Sequence, residues 1–374
     1  MRELYVAIAA GGTAGHINPA LALAEELVSR GHQVTFVGQS HKLEGRLVPE
    51  AGYDFVDIRV TGFDRKRPWT MIGALVRIRS AIGALDRHFS QTRIPDVAIG
   101  FGAYVELPLL RWCRKHEVPY AIHEQNSVPG LANRTSARDA SVVAVALPGA
   151  CAAFENVIGS NTSLVVTGNP VRRSVVQASR SAGRKSFGVA DDQTLLLVFG
   201  GSLGARNLNN AIADLKDDLL ARKKLAIVHS TGEDLYDEVC ASLSLSDEEA
   251  LRWNVLPYIH NMGEALAAAD LAVSRSGASS IAEIAALAVP SVLVPYPLAT
   301  ADHQTTNAKY LVDCGAARLV PDDQLHDPVF RDTLLDLVDH AGVREEMREA
   351  VRGLAQDKAA SALADQVEVA AHAM

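Results

Sequence analysis

Short apolar runs alternate along the chain with segments in which apolar residues recur at helical spacing. The run Tyr5–Ala10 predicts a strand, and Gly11–Asn18 predicts a loop. We expect a helix to begin at Pro19 with Asn18 as its cap, because proline fits the first helical position. Gln33–Val37 then predicts a second strand. Strands that alternate with helices in this way predict βαβ units and parallel sheets, so the expected fold class is α/β.

The same unit returns 189 residues further along the chain. Leu195–Phe199 predicts a strand, and Gly200–Gly204 repeats the glycine spacing of Gly11–Gly15. Two such units predict two Rossmann-like domains, each with its own glycine turn. We expect an N-terminal domain over 1–166, a C-terminal domain over 167–349, and a final Ala-rich amphipathic helix over about 350–374 that packs back on the first domain.

Composition and charge agree with this interpretation. The 374 residues are 48% hydrophobic but only 5% aromatic, which suits α/β packing better than an aromatic-rich β-sandwich. Residues 1–150 carry 17 basic and 14 acidic side chains, a net of +3, whereas residues 151–374 carry 19 and 30, a net of −11. Such asymmetry indicates that the first half contacts an anionic surface.

Cysteine spacing and the start of the chain predict a cytosolic protein. The four cysteines lie far apart and form no C-x-x-C pair, which indicates reduced thiols. The apolar start ends at Gly11, so it predicts a strand and not a signal peptide. No run approaches the roughly 18 apolar residues of a membrane span.

The glycine turn at Gly11–Gly15 precedes a candidate catalytic base, His16. Glycines permit a tight turn and the close approach of another molecule. We expect His16 to project from the loop at the carboxyl edge of the sheet, where it could take a proton from a hydroxyl. The alternative is a loop histidine that hydrogen-bonds to backbone. NAD is a poor fit, because the spacing differs from G-x-G-x-x-G and no acidic residue ends the second strand.

A second polar cluster, His123–Arg134, follows a predicted strand over Tyr120–Ile122. Hydrogen-bonding side chains in a strand-exit loop suit a sugar or a peptide-like group. The alternative is an ordinary loop in which Asn and Ser serve turns.

The C-terminal half contains two candidate phosphate-binding turns. In Gly200–Arg206, Ser202 and the N–H groups after it could hold a phosphate, although a simple strand-to-helix turn fits equally well. The run Val273–Glu283 combines a strand end, a Gly/Ser turn, a helix start and an acidic residue. Its N–H groups suit a diphosphate, and the Glu283 carboxylate suits a pair of sugar hydroxyls.

A capping box is the competing interpretation of that run, because Ser280 and Glu283 have the S-x-x-E spacing. Two neighbouring residues favour the interpretation that this run binds a diphosphate and a sugar. Arg275 would bring charge near the phosphates, and Gln304 follows the next strand at the same sheet edge.

Between Arg59 and His116 the chain has 11 basic but only four acidic residues, interleaved with apolar ones. A basic amphipathic helix with exposed Trp, Ile and Leu is typical of contact with an anionic membrane surface. The alternative is a solvated helix whose apolar face is core. Nucleic acid is a less suitable partner, since no stacking platform or binding motif accompanies the charge. The predicted membrane-contact residues are Arg65, Lys66, Arg67, Trp69, Ile72, Leu75, Arg79 and Trp112.

Several motifs of metal and nucleophile chemistry are absent from the sequence. There is no Asp-x-Asp triplet, no GxxxxGK[ST], no HExxH and no GxSxG. We therefore expect no metal at the nucleotide site and no cofactor.

Five motifs follow one another over nearly the whole chain: GGTAGHINPALA at 11–22, HEQNSVPGLANR at 123–134, TGNPVR at 167–172, GGSLGARNLN at 200–209 and RSGASSIAE at 275–283. Together they closely resemble the MurG family, the bacterial N-acetylglucosaminyltransferases that convert lipid I to lipid II in peptidoglycan synthesis. The resemblance implies the GT-B fold, in which two Rossmann-like domains with parallel sheets face each other across a cleft.

The resemblance also implies an inverting transfer of GlcNAc from UDP-GlcNAc to the 4-hydroxyl of the muramoyl sugar on undecaprenyl diphosphate. One direct displacement needs one base, for which His16 is the implied residue, and Glu124 would assist with the acceptor. Ile259 would meet uracil, and Gln304 would hold the sugar. The helix start after Ser279 would stabilise charge on the leaving UDP. The implied donor contacts are Thr13, Ala14, Gly15, Asn126, Arg172, Ser202, Ile259, Ala278, Ser279, Ser280, Ile281, Ala282, Glu283 and Gln304.

One position departs from the family's motif, and a second has a neighbour that could serve in its place. Ala14 stands where the family usually has glycine, and its methyl group needs an allowed φ and leaves less room for a diphosphate. Thr305, the next residue after Gln304, is an alternative candidate for the sugar contact.

Three competing functions are a UDP-GlcNAc 2-epimerase, a glycosyltransferase for another lipid, and a non-catalytic nucleotide-sugar scaffold. The resemblance implies a peripheral protein at the cytoplasmic face of the plasma membrane. Its expected partners are UDP-GlcNAc, lipid I, an anionic membrane surface and cell-wall or division proteins, but no nucleic acid.

Overall fold

Two parallel β-sheets organise the chain, one in each of two units. The computed structural model describes residues 2–62, 70–201, 204–352 and 358–372, without the side chains of Thr70, Met71 and Thr300. One unit comprises Met1–Arg172 with Asp357–Met374, and the other comprises Arg173–Gln356. Each has its own sheet and its own apolar core. The predicted α/β class is confirmed.

The described residues of the first unit form seven strands: β1 (Tyr5–Ala9), β2 (Gln33–Gly38), β3 (Asp54–Asp57), β4 (Val97–Gly100), β5 (Tyr120–Glu124), β6 (Val142–Val145) and β7 (Ser163–Val166). Its helices are α1 (Ala14–Ser29), α2 (Leu43–Glu50), α3 (Thr70–Gln91), α4 (Glu106–Lys115), α5 (Leu131–Ser136) and α17 (Ala359–Ala371), with 3-10 turns at Ala137–Asp139 and Pro148–Ala153.

The strands of this sheet lie in the order β3-β2-β1-β4-β5-β6-β7, and neighbouring strands are parallel. The order reverses between β1 and β4. In an open parallel sheet, ligands bind beyond the carboxyl ends of the strands at such a reversal. The loops after β1 and β4 occupy this position.

Helix α1 begins earlier than the sequence predicts. Thr13 is its N-cap, and Pro19 lies inside the helix rather than at its first position. The Thr13 carbonyl accepts hydrogen bonds from the N–H groups of His16 and Ile17 at 3.1 and 3.2 Å, which closes the first turn ahead of the proline. The prediction that Asn18 caps a helix starting at Pro19 is wrong, because packing of the apolar face on the sheet outweighs the lost proline hydrogen bond.

The C-terminal helix α17 packs on the first unit, beside α1. Leu363 and Val367 lie in the same core cluster as the apolar face of α1. Arg30, just after α1, forms ion pairs with Asp365 at 2.6 Å and with Glu368 at 3.1 Å. Through these apolar and charged contacts, the C-terminal helix packs against the first unit.

The prediction of one helix over about 350–374 is wrong. Lys358 is the N-cap of α17, so that helix begins at Ala359 and not near residue 350.

Six strands lie in the part of the second unit that the structure describes: β8 (Thr194–Phe199), β9 (Leu225–Ser230), β10 (Trp253–Leu256), β11 (Leu271–Ser274), β12 (Ser291–Leu293) and β13 (Ala317–Leu319). Its helices are α6 (Arg173–Val176), α7 (Arg180–Ser186), α8 (Arg206–Asp214), α9 (Lys216–Leu220), α10 (Tyr236–Leu243), α11 (Asp247–Ala250), α12 (Met262–Ala268), α13 (Ala278–Ala286), α14 (His303–Val312), α15 (Pro328–Asp339) and α16 (Ala341–Arg352). Short 3-10 turns lie at Glu233–Leu235, Thr300–Asp302 and Asp322–Gln324.

The parallel order β10-β9-β8-β11-β12-β13 repeats the plan of the first sheet, with its reversal between β8 and β11. The repeat extends to one hydrogen bond at the amino ends of the strands. Asp96 accepts a hydrogen bond from the Tyr5 N–H at 2.8 Å, and Asp270 accepts one from the Leu195 N–H at 2.8 Å. Each aspartate directly precedes the strand that lies across the reversal from the first strand of its unit.

Candidate active site

Two glycine turns meet at the carboxyl ends of β1 and β4. Gly12 has a φ of 85° and Gly102 a φ of 86°, in the left-handed region that favours glycine. A Cβ atom on Gly102 would lie 3.5 Å from His16 Nε2. The structure therefore brings His16 to the reversal of the first sheet, where a ligand is expected.

Thr13 holds the other ring nitrogen of His16. Its Oγ1 lies 3.0 Å from His16 Nδ1, and the imidazole is partly exposed. His16 thus belongs to the first turn of α1, and the predicted loop position is wrong. A hydroxyl at Nδ1 and a turn beside Nε2 give the ring a defined orientation, as a proton acceptor requires.

Ala14 fits the backbone that it occupies. It is the first residue of α1, in a helical conformation that any L-residue adopts, and Gly15 follows it in the same turn. Ala14 therefore has a φ that alanine can adopt, although the family usually has glycine at this position.

Two buried carboxylates that the sequence analysis missed hold the glycine turns. Glu44 Oε2 accepts a hydrogen bond from the Gly12 N–H at 3.1 Å, and Glu106 Oε2 accepts one from the Gly102 N–H at 2.6 Å. Neither side chain has exposed surface. Burial, together with the charge of Glu124, raises the pKa of Glu106 to about 8. Their only sequence signal is a lone acidic residue in a first helical turn, which is common wherever helices begin.

Glu124 organises the turn after β5. Its Oε1 accepts a hydrogen bond from the Asn126 N–H at 3.0 Å, and its Oε2 accepts from the Gly130 N–H at 3.0 Å and from Asn133 Nδ2 at 2.8 Å. The side chain is only 2% exposed. The carboxylate is thus committed to its own loop, and its assistance to an acceptor stays a prediction.

Two further residues connect these loops to the end of the first unit. His123 Nε2 lies 3.0 Å from the Gly168 carbonyl oxygen, and burial lowers the pKa of His123 to about 4, so the ring is neutral near pH 7. Arg172 Nε and Nη2 lie 2.9 and 2.8 Å from Glu25 Oε1 on α1. The TGNPVR motif is therefore anchored both to β5 and to α1.

In the second unit, the turn after β8 is shaped by Gly201 and Gly204, with φ of 90° and 73°. A Cβ on Gly204 would overlap the Thr231 carbonyl oxygen, so close packing of the two strand exits also requires glycine there. Ser202 lies outside the described residues, and its phosphate contact stays a prediction.

Helix α13 begins directly after the β11 exit, with Gly277 as its N-cap. Residues 278–280 form the first turn of this helix, where its N-terminal N–H groups and the positive end of its dipole lie. The capping-box alternative is wrong, since Ser280 and Glu283 both lie inside the helix. This geometry can bind an anion such as a diphosphate.

Glu283 lies further along the same helix and keeps some exposed surface. Packing around its carboxyl group raises the pKa of Glu283 to about 7. The group therefore changes charge near neutral pH, where it can accept hydrogen bonds from hydroxyl groups once ionised.

Arg275 is committed to internal contacts rather than to a phosphate. Its Nη1 lies 2.5 Å from Asp322 Oδ1 and donates to the carbonyl oxygens of Val294 and Pro295 at 3.3 and 3.2 Å. The side chain is 8% exposed. Arg275 thus joins the exits of β11 and β12, and its charge is neutralised by an aspartate that the sequence analysis did not identify.

Gln304 lies in the first turn of α14 and joins the same two strand exits. Its Oε1 accepts a hydrogen bond from the Tyr296 N–H at 2.9 Å, and its carbonyl oxygen accepts one from the Ser276 hydroxyl at 2.9 Å. The hydroxyl of Thr305 donates to Asp302 at 2.7 Å. Which of the two residues contacts a sugar stays a prediction.

Three of the implied donor contacts have side chains buried in the second unit. Ile259, Ile281 and Ala282 are 4%, 2% and 4% exposed, and the two isoleucines lie in one apolar cluster. The Ile281 N–H already donates to the Gly277 carbonyl at 2.9 Å. Direct contact of these side chains with a donor is not compatible with this packing, so any contact would use the backbone.

Helix α3 has one face in the core and another that is apolar but exposed. Ile72 is 69% exposed and Leu75 45% exposed, with Val76 and Arg79 exposed beside them. Arg65, Lys66, Arg67 and Trp69 lie outside the described residues. In the part of the chain that the structure covers, no helix combines the length and the apolar character that crossing a bilayer requires.

The prediction that Trp112 contacts the membrane is wrong. It is 1% exposed and packs in the first core, where its Nε1 donates to Asp86 Oδ1 at 3.2 Å. The reason is that α3 and α4 pack against each other and cover the indole.

Comparisons with known proteins agree with this architecture. Family models for the N-terminal and C-terminal domains of glycosyltransferase family 28 match residues 6–145 and 195–367. A relative from Desulforamulus reducens is 36% identical over 370 residues, covering 96% of this chain and 97% of its own. It is named UDP-N-acetylglucosamine–N-acetylmuramyl-(pentapeptide) pyrophosphoryl-undecaprenol N-acetylglucosamine transferase.

Solved structures share the fold. The crystal structure of MurG from Acinetobacter baumannii superposes with a TM-score of 0.73 at 29% identity, covering 98% of this chain and 99% of its own. A UDP-GlcNAc 2-epimerase from Neisseria meningitidis gives a TM-score of 0.68 at 12% identity, covering 98% of this chain and all (100%) of its own. At that identity the epimerase shows a common fold alone.

Proposed function

The chain belongs to glycosyltransferase family 28, among the MurG N-acetylglucosaminyltransferases, and we propose the residues with which it transfers GlcNAc from UDP-GlcNAc to lipid I to give lipid II. The resemblance found in the five motifs is confirmed by these relatives, and the fold is GT-B. The enzyme is a hexosyltransferase of peptidoglycan synthesis. The roles of individual residues are the proposal.

His16 is the general base. In the proposed tautomer the Nδ1–H group donates a hydrogen bond to Thr13 Oγ1, and Nε2 takes the proton from the 4-hydroxyl of the muramoyl sugar. The hydroxyl oxygen bonds to C1 of GlcNAc as the bond from C1 to the diphosphate oxygen breaks. UDP leaves with the electron pair, and the single displacement inverts C1. The observation that carries this assignment is the position of His16 between the Thr13 hydroxyl and the Gly102 turn.

The second unit binds UDP. The N–H groups at the start of α13, Ala278 to Ser280, and the positive end of its helix dipole stabilise the diphosphate as charge develops on it. Glu283 accepts hydrogen bonds from the ribose hydroxyls, Gln304 contacts the sugar, and the Ile259 backbone meets uracil. The support is the place of α13 at the sheet reversal.

The first unit contributes the remaining donor contacts and receives the acceptor. Thr13 caps α1, and Ala14 and Gly15 are its first residues. Asn126 lies in the loop after β5, and Arg172 pairs with Glu25 on α1. Glu124 acts by holding the Asn126 backbone and the loop through Asn133 in place. No metal is needed in this scheme, since a helix start and N–H groups face the diphosphate.

The protein binds the cytoplasmic face of the plasma membrane as a peripheral protein. The support is the exposed face of α3, on which the apolar Ile72 and Leu75 lie beside the basic Arg79, in a segment rich in basic residues. Association with cell-wall or division proteins is a further expectation from the resemblance.

The test of the base is His16→Ala, assayed by UDP release with UDP-GlcNAc and a lipid I analogue. We expect kcat to fall by about 10²–10⁴-fold, with a smaller change in donor KM, because the lost group acts only in proton transfer. His340→Gln is the control, since His340 is exposed and interacts with Asp336. An unchanged kcat for His16→Ala would remove His16 as base.

The same assay separates the competing functions. UDP release that depends on the muramoyl lipid is expected for this enzyme. UDP-ManNAc formation without acceptor would indicate an epimerase, release with a diacylglycerol acceptor would indicate another lipid glycosyltransferase, and no turnover would indicate a scaffold.

A further inference from the structure

Glu44 contributes to the position of His16 although it lies 28 residues away along the chain. We propose that Glu44 is a positioning residue, whose buried carboxylate fixes the turn Gly11–Thr13 and with it the orientation of the His16 imidazole. This inference rests on the proposed role of His16 as the base.

The Glu44 carboxylate joins the exits of two neighbouring strands. Its Oε2 accepts a hydrogen bond from the Gly12 N–H after β1, at 3.1 Å, and its Oε1 accepts one from the Gln39 N–H after β2, at 3.3 Å. The side chain has no exposed surface. Because water does not reach the carboxylate, nothing replaces either bond once it is lost.

Two glycines make room for this carboxylate. A Cβ on Gly11 would lie 2.5 Å from Glu44 Oε1, and a Cβ on Gly38 would lie 2.8 Å from Glu44 Cγ. Neither glycine is in the left-handed region, so both are needed for space and not for an unusual backbone. The first glycine of the GGTAGH motif therefore accommodates Glu44.

The start of α2 stabilises the charge of Glu44. Glu44 is the second residue of that helix, where the positive end of the helix dipole favours an anion. A glutamine at this position has nearly the same shape but loses the charge. It would also place an NH₂ group against one of the two N–H donors.

The turn held by Glu44 leads directly to the imidazole. Gly12 is followed by Thr13, whose carbonyl oxygen accepts the His16 N–H at 3.1 Å and whose Oγ1 lies 3.0 Å from His16 Nδ1. A shift of the turn therefore moves both contacts that set the ring. Misplacement by about 1 Å can cost about 100-fold in rate.

Glu44→Gln tests this inference, with Asp96→Asn as the matched control. Asp96 also accepts a backbone N–H bond from β1, at Tyr5, but at the amino end of the strand. We expect Glu44→Gln to lower kcat by about 10-fold or more, with a smaller change in donor KM, and Asp96→Asn to leave kcat within about twofold. We also expect the pH profile of kcat/KM to change only in Glu44→Gln, because only there is the Thr13–His16 contact disturbed.

A second variant tests whether a lower kcat comes from displacement of the Glu44 carboxylate or from loss of folding. Gly38→Ala keeps the Glu44 charge but forces the side chain to move, so it should lower kcat in the same way. Thermal unfolding of each variant is measured, and kcat is compared at a temperature at which all are folded.

The outcomes distinguish this inference from the assignment of the base. If His16→Ala loses turnover but Glu44→Gln keeps the wild-type kcat and pH profile, Glu44 is not a positioning residue. An equal loss of kcat in Asp96→Asn would also overturn the inference. If His16→Ala keeps its kcat, it is the base assignment that fails.

Discussion

The Gly102 N–H donates a 2.6 Å hydrogen bond to Oε2 of Glu106, a carboxyl group with no exposed surface. Gly100 makes the space for it, since a Cβ there would overlap the Glu106 carboxyl. The turn that borders His16 thus rests on an acid whose pKa is raised to about 8 by burial and by the charge of Glu124.

Because the pKa of Glu106 is raised in the folded protein, we predict that the stability of the protein falls as pH rises. Between about pH 4.5 and about pH 8 the folded protein keeps a proton on Glu106 that the unfolded chain releases, so the contribution present at low pH is lost through this window. Glu106→Gln has no such proton and can still accept the Gly102 bond. We expect the melting temperature of the variant, relative to the wild type, to rise between pH 6 and pH 8.5.

The control for Glu106 is Glu50→Gln, because Glu50 is exposed on α2. Its melting temperature should follow the wild type at both pH values. A Glu106→Gln difference that does not depend on pH would show that the carboxyl group is ionised throughout.

Glu283 predicts a pH dependence of donor binding. Burial raises the pKa of its carboxyl group to about 7, so the group is mostly neutral at pH 6 and mostly ionised at pH 8. In the proposed role the ionised form would accept hydrogen bonds from both ribose hydroxyls, so we expect donor KM to fall as pH rises across this range. Glu283→Gln should raise donor KM by about 10-fold and flatten its pH dependence.

Initial rates with varied UDP-GlcNAc at each pH measure this effect. Glu248→Gln, at an exposed position of the same unit, is the control. A wild-type donor KM that is constant between pH 6 and pH 8 would contradict the role of Glu283 at the ribose.

The exposed face of α3 predicts a measurable membrane contact. Replacing Ile72 and Leu75 by serine should lower binding to anionic vesicles by about 10-fold or more, because each apolar side chain contributes about 1.5–3 kcal/mol when fully buried in lipid. Melting temperature should not change, since both side chains are exposed in the folded protein. Vesicle co-sedimentation measures the binding.

Val369→Ser is the matched control for that surface, since Val369 is 54% exposed on α17. Vesicle binding that is equal in the control and in the α3 variant would exclude α3 as the contact.

Trp112→Ala should instead lower the unfolding free energy by about 3–5 kcal/mol, because the indole is core.

The contact of α17 with α1 predicts that the C-terminal helix stabilises the first unit. Leu363 is fully buried in the core that includes the apolar face of α1, so Leu363→Ala should lower the unfolding free energy by about 2–5 kcal/mol. Denaturant unfolding measures the change, and Val369→Ala should alter it by less than about 0.5 kcal/mol. Equal effects of the two substitutions would mean that α17 does not pack as described.

The sequence alone was sufficient for features that are local or repeated. Alternating apolar runs predicted the parallel strands, and the matching glycine turns near Gly11 and Gly200 predicted two similar units. The five motifs were sufficient for the family, because each is a contiguous run of residues. His16 was predicted as the base for the same reason, since it follows a glycine turn at a strand end.

Only the tertiary structure decided what lies behind those turns. Glu44 and Gly12 are 32 residues apart, and Arg275 and Asp322 are 47 apart, so no local pattern connects them. Likewise, Trp112 was predicted to be exposed and is buried, because burial depends on which helix covers it. Periodicity and turn chemistry act between neighbours in the chain, whereas the partners of buried charges and the covering of apolar faces are set by segments that meet only after folding.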